Sequence, residues 1–341
     1  MHRHRIIITA EQPQQIMVSK KFSINTDKLK LCYRTPQSYD LFNYIIEHSG
    51  IEHLNAEDIE WKTQDTKVFF GAEDFYFSVI DFVRNEKNEI IKIVCAVMLP
   101  DHTKLGDFEI SSTSFVGKAF FTFTNRSLYT IFTNVCGVKH NNTIHLQYIA
   151  DCLGLSFNNV TNIEIAIDCN FNIIKKVRDY IASQKYFTFL NGKKIKDSKI
   201  HFGKPYQEYK GRCEERVDTY PTIRIKQSDG LKLTIYNKTF EMEVSNQGKE
   251  DYIPKWNGFG DTDGKEQIYR VEVYATREDI RDFYGFLSDF RPEWNEPDLF
   301  LNHLGIEDFR ALLWHWCTHR MLFFRDKTDT TNTDIDLIDL L

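Results

Sequence analysis

Apolar and polar residues alternate one for one in several stretches of the chain, the pattern of a strand with one buried face. In LKLTIYNK (231–238), Leu231, Leu233 and Ile235 form one set, and Lys232, Thr234, Tyr236 and Lys238 the other. NIEIAIDCN (162–170) sets Ile163, Ile165 and Ile167 against Asn162, Glu164, Ala166, Asp168 and Asn170. In YRVEVYA the polar set is Arg270, Glu272 and Tyr274, and in TIRIK it is Thr222, Arg224 and Lys226. FSINTDKLKLCYR, TKVFFG, FYFSVIDFV, EIIKIVCAVML and GKAFFTFT read as further strands, the last four as an antiparallel meander. Helical spacing appears in SYDLFNYIIEHSG, opened by Ser38 and stopped by Gly50, in a short segment from Ser127, near Thr143 to Leu153, and in NIIKKVRDYIASQ. It returns in IEDFRALLWHWCTHRMLFFR, with Phe309 and Trp314 on the buried side. The implied class is α+β: an antiparallel sheet with helices packed on one face and a helical C-terminal region.

A chain of 341 residues can hold two domains or one elaborated domain. The pattern divides it into a flexible leader (1–20), a β-rich region (21–116), a region carrying the polar strand faces (117–276), a helical region (277–325) and an acidic flexible tail (326–341). Seven scattered cysteines without a C-x-x-C pair point to reduced thiols. No apolar run nears the ~18 residues of a membrane helix, and HRHRIIITAEQ is too short for a secretory signal. Together these place the chain in the cytoplasm, with no membrane partner.

A net charge of −6 opposes nucleic-acid binding, but its distribution does not. Residues 185–238 hold 13 Lys/Arg against 6 Asp/Glu, whereas the chain from Asp326 holds five Asp and one Lys. The run Lys193, Lys194, Lys196 and Lys199 is a candidate phosphate contact, or else a solvated loop.

Side by side, the alternating strands would gather Glu164, Asp168, Glu272, Arg224, Lys226, Lys232, Tyr236 and Lys238 on one face. Carboxylates of this kind suit Mg²⁺ or Mn²⁺, with Glu164, Asp168 and Glu272 as the ligands. A tyrosine beside such an ion and two ammonium groups is a candidate nucleophile towards phosphorus. The alternative is a set of ion pairs on an ordinary solvent-facing sheet. His315 and His319 share a helix face but lack an evident third ligand, and no Gly-rich phosphate loop is present.

The order NIEIAIDCN, helix, LKLTIYNKTFE, YRVEV resembles the replication initiation factor family, which includes plasmid rolling-circle initiators and the DNA-nicking initiators of filamentous phages. The resemblance runs from roughly Gly117 to Thr276 and rests on short, degenerate motifs. An acidic strand, a Tyr-x-Lys strand end followed by an acidic residue, and an Arg-x-Glu strand are matched by Glu164 and Asp168, by Tyr236, Lys238 and Glu241, and by Arg270 and Glu272. Plasmid members place their nucleophile after a Gly-Ser-Arg loop; here KQSDGLK replaces that loop and Lys232 stands at the site. The phage-like branch uses the tyrosine of Tyr-x-Lys, which is Tyr236. Tyr206, Tyr209 and Tyr220 in the intervening insertion remain alternatives.

The resemblance implies a nicking-endonuclease-like fold and a site-specific nicking and joining enzyme. Tyr236 and Lys238 would be catalytic, a Mg²⁺ or Mn²⁺ ion would be the cofactor, and Arg224, Lys226, Lys232 and Arg270 would join the lysine run on DNA. Its partners would be single-stranded or hairpin origin DNA and host helicase and polymerase, with a homodimer an open alternative to a single copy of the chain. Two rivals stand beside it: a metal-dependent nuclease using water, and a non-catalytic replication or copy-control protein.

Overall fold

In the computed structural model of the chain the described residues are 22–34, 38–54, 66–70, 73–112, 117–130, 146–195, 207–210, 213–216, 222–227, 230–245, 249 and 267–341. The first half supplies β1 (Phe22–Arg34), α1 (Ser38–Ser49), β2 (Lys67–Phe70), β3 (Phe75–Arg84), β4 (Ile90–Met98), β5 (Lys104–Ser111), β6 (Lys118–Phe123), α2 (Asn125–Thr130) and α3 (Leu146–Cys152). Next come β7 (Ser156–Cys169), α4 (Ile173–Ala182), β8 (Tyr186–Leu190), β9 (Lys193–Ile195), β10 (Gln207–Lys210), β11 (Cys213–Arg216), β12 (Thr222–Lys226) and β13 (Lys232–Asn237). The chain ends with α5 (Lys238–Ser245), β14 (Tyr269–Thr276), α6 (Arg277–Phe290), α7 (Phe300–Leu304), α8 (Glu307–Met321), β15 (Leu322–Asp326) and β16 (Asp334–Asp336).

Ten strands form one antiparallel sheet in the order β12-β13-β14-β7-β1-β6-β5-β4-β3-β2. The fold is thus α+β, built on a large antiparallel sheet. The apolar sets that alternation marks, Ile163/Ile165/Ile167, Val271/Val273 and Leu233/Ile235, are all buried. Against them pack α4, α6 and α8. In α8, Phe309, Leu313, Trp314, Cys317 and Met321 face inward, and Trp314 Nε1 donates to the Val271 carbonyl at 3.1 Å. That bond satisfies the one polar atom of a large buried ring. No described helix is long and apolar enough to cross a membrane.

Several elements differ from the sequence reading. The boundary expected after residue 116 does not divide the sheet, because β1 lies between β6 and β7 and shares one apolar core with both halves. The strand β5 escapes the alternation rule because Leu105 and Gly106 are both buried, so period 2 is lost at its start. Gly106 has no room for a side chain: a Cβ there would lie 2.4 Å from Phe121 and from the Thr122 carbonyl oxygen.

A second sheet, β16-β15-β8-β9, replaces the expected lysine-rich loop and flexible tail. Its β8–β9 hairpin turns on Asn191 and Gly192, both with positive φ, as a two-residue hairpin requires. The Asp-rich end is folded: Leu337 and Leu340 are buried, Arg325 pairs with Asp334, and His319 Nδ1 lies 2.7 Å from Asp336. Helix α8 stops at Met321, where the expected helix continued to Arg325.

Candidate active site on the open face of the sheet

Directly opposed residues on neighbouring strands point to the same side of a sheet. The registers of β12, β13, β14, β7 and β1 therefore define three rows across the face away from α8. The first is Thr222, Tyr236, Arg270, Asp168 and Ser23; the second Arg224, Thr234, Glu272, Ala166 and Asn25; the third Lys226, Lys232, Tyr274, Glu164 and Lys28. Tyr236, Glu272, Glu164 and Asp168 thus share one face, as alternation requires. Lys238 begins α5 and is buried, its Nζ 2.6 Å from Glu241, which also receives Lys249 at 3.1 Å.

Asp168 does not join the converging carboxylates. Arg270 stands opposite it and takes both its oxygens, through Nε at 2.6 Å and a terminal nitrogen at 2.8 Å. Both residues are fully buried, so Arg270 forms part of the interior of the site and has no surface with which to meet DNA. Burial works against the guanidinium charge, but Asp168 and Asp27 outweigh it and hold its pKa well above the ordinary value.

The third converging acid is Asp27. Carboxylate oxygens of Asp27, Glu164 and Glu272 lie within 4.8 Å of one another. Asp27 reaches them because β1 carries a bulge: Thr26 pairs with Ile165 and Lys28 with Glu164, leaving Asp27 unpaired between them. A bulge adds one residue and re-aims its side chain. The sequence contains the signal, since the apolar positions of β1 switch from even (Phe22, Ile24) to odd (Leu29, Leu31, Tyr33) across Asp27.

Three donors fix Asp27 through one oxygen, Oδ1: the Asn125 amide at 2.7 Å, the Tyr129 hydroxyl at 3.1 Å, and Arg270. Asn125 and Tyr129 belong to α2, which packs on β1. Burial alone would raise this carboxyl, yet Arg270, Lys238 and the Asn125 bond together hold it down at about 2. Such outer partners orient a metal ligand and leave its second oxygen for the ion. The donor set is all oxygen, which suits a hard divalent cation.

Tyr236 meets this cluster through Glu272, to whose Oε2 its hydroxyl donates at 3.0 Å. Burial, with Glu272, Asp27 and Asp168 beyond, holds the phenol well above its ordinary pKa despite Arg270. Glu272 is raised to about 7 by burial and by the charges of Asp27 and Glu164. In the absence of a bound cation it therefore takes a proton near neutrality, and a cation held by the three acids would lower that value. Lys238 is lowered by burial and Arg270.

The raised Glu272 carries a stability signature. An acid with a raised folded-state pKa favours folding while protonated, so its contribution is present below the ordinary value of 4.5 and lost as pH rises towards about 7. Glu272→Gln keeps a neutral group throughout. Without divalent ions the variant should melt above the parent near pH 8 and level with it near pH 4; parallel melting curves across that range would contradict the assignment.

A cavity of about 600 Å³ opens over β12 and β13 beside Tyr236, with Arg224, Lys226, Lys232, Phe240 and Glu272 among its lining residues. Among the described residues none of the three cations has a carboxylate partner, and Lys226 stands directly opposite Lys232. Like charges so placed destabilise a sheet, so this side of the face favours an anion. Lys193 and Lys194 lie instead on β9 of the second sheet, where Lys194 Nζ sits 3.2 Å from the centre of the Phe187 ring. Lys196, Lys199, Tyr206 and Tyr220 lie outside the described residues, and Tyr209 falls on β10.

No protein-family model and no curated protein matches the chain. Among solved structures, a rolling circle replication initiator protein from Geobacillus stearothermophilus is similar over 85% of this chain and 97% of its own, at 12% identity and a TM-score of 0.36. At that identity and score no residue role is transferred, and the site stands on its own geometry.

Proposed function

We propose that the chain is a rolling-circle-type replication initiator that nicks and rejoins one strand of origin DNA through Tyr236. The observation that carries this reading is the hydrogen bond from the Tyr236 hydroxyl to Glu272, one of three converging carboxylates, at the edge of a cavity lined by Arg224, Lys226 and Lys232. A tyrosine oxygen, a proton acceptor, an acidic cation site and a phosphate-binding wall meet on one open face.

Asp27, Glu164 and Glu272 would hold Mg²⁺ or Mn²⁺, which when bound neutralises a non-bridging phosphate oxygen. Arg224, Lys226 and Lys232 hold the flanking phosphates. Tyr236 gives its proton to Glu272 as its oxygen forms a bond to phosphorus. The bond from phosphorus to the 3′-oxygen breaks, and that oxygen leaves with the electron pair and takes a proton from solvent. The products are a 5′-phosphotyrosine and a free 3′-OH, from which host polymerase can extend once a helicase opens the duplex. One phosphodiester replaces another, so the reverse step rejoins the strand. Arg270 positions Asp27 and Asp168 and touches no substrate.

The test uses end-labelled single strands tiling the DNA beside the chain's own gene, with Mn²⁺. A covalent protein–DNA band on a denaturing gel, lost with chelator, is expected. Cleavage without that band would favour water as the nucleophile, and binding without cleavage a non-catalytic role. Replacing Arg224, Lys226 and Lys232 together by Gln should lower the salt slope of single-strand binding by about 2, at roughly 0.7 per phosphate contact. An unchanged slope would remove the cavity wall from the DNA path.

A further inference from the structure

The acidic cluster already has a cation of the chain's own. Lys28 follows Asp27 on the bulge of β1, and its Nζ lies 2.7 Å from Glu164 Oε2. Glu164 is one of the three converging acids and its side chain is only 11% exposed, whereas that of Lys28 is 62% exposed. The bulge thus sends two consecutive side chains to one face, an acid into the cluster and an ammonium over it.

We infer that Lys28 is the resident countercation of this cluster, and that a divalent ion entering between Asp27, Glu164 and Glu272 must displace it. The inference rests on the metal reading of the site given above. The ammonium and the ion compete for the Glu164 carboxylate. The largely exposed lysine stem can swing outward without disturbing the sheet, because Leu29 and Thr26, not Lys28, face the core. Glu272 and Asp27 also act on the ammonium charge, so this one side chain bears on all three acids, from the side opposite the buried Arg270. Displacing it raises the ion concentration at which the site fills, and so sets the level to which nicking responds.

The test measures Mn²⁺ binding to the full chain without DNA, by the loss of the free-ion magnetic resonance signal, for the parent, Lys28→Gln, Lys28→Arg and Lys30→Gln. A partly exposed ion pair contributes up to about 1 kcal/mol, so Lys28→Gln should bind Mn²⁺ about two- to fivefold more tightly. Lys28→Arg should bind like the parent, and Lys30→Gln, which removes a charge two residues on in the same strand, should also match it. If the parent binds Mn²⁺ and Lys28→Gln binds it equally or more weakly, the inference fails and the metal site stands. If the parent binds no Mn²⁺, the metal site fails and the inference with it. Thermal melting of each variant separates these outcomes from misfolding.

Discussion

Tyr236→Phe should give no covalent protein–DNA band and no nick, while binding the same DNA with parental affinity. The substitution removes one oxygen. Its ring lies on the face opposite Leu233 and Ile235, so the apolar core keeps its packing. The lost hydrogen bond to Glu272 should cost about 0.5–1.5 kcal/mol, visible as a small shift in the urea midpoint. The loss of reaction is absolute by comparison, because a nucleophile without its oxygen cannot bond to phosphorus. Phe substitutions at Tyr206, Tyr209 and Tyr220 are the controls and should leave the band unchanged. A band that survives in Tyr236→Phe and disappears in one of those three would move the nucleophile into the insertion.

Arg270→Met should be among the most destabilising single changes available to this chain, costing about 3–5 kcal/mol. The guanidinium is fully buried and holds both oxygens of Asp168 and one of Asp27. Removing it leaves two buried carboxylates without their cation, and that penalty exceeds the loss of the pair itself. The double variant Arg270→Met with Asp168→Asn should therefore recover part of the stability, as urea midpoints would show. Full additivity of the two changes would mean that the pair is not a unit. Where Arg270→Met still folds, Asp27 loses one of the three donors that order it, and Mn²⁺ binding should weaken even though Arg270 is no ligand.

Strand alternation places Tyr236, Glu272, Glu164 and Asp168 on one face because side-chain direction has period 2 and needs no knowledge of neighbours. It cannot say which of these acids is free. That depends on cross-strand register, and register sets Arg270 against Asp168 while leaving Glu164 and Glu272 in adjoining rows. Asp27 escapes for the opposite reason: a single bulge breaks the period, and only the parity switch from Ile24 to Leu29 betrays it. The Asp-rich end looks like a solvated tail by composition, yet Arg325 and His319, from the preceding strand and helix, pair with it in space. Lys193 and Lys194 read as a loop because the strand holding them is only three residues long and two of those are lysines, although Asn191–Gly192 is itself a hairpin-turn signal.

The most direct measurement identifies the residue joined to DNA. Parent protein is trapped on its single-stranded substrate, digested with nuclease and trypsin, and the nucleotide-bearing peptide is sequenced by mass spectrometry. The expected peptide is LTIYNK, residues 233–238, with the phosphodiester on Tyr236. A nucleotide on IHFGKPYQEYK (200–210) or VDTYPTIR (217–224) would contradict the assignment of Tyr236, and cleaved DNA with no modified peptide would contradict covalent catalysis altogether.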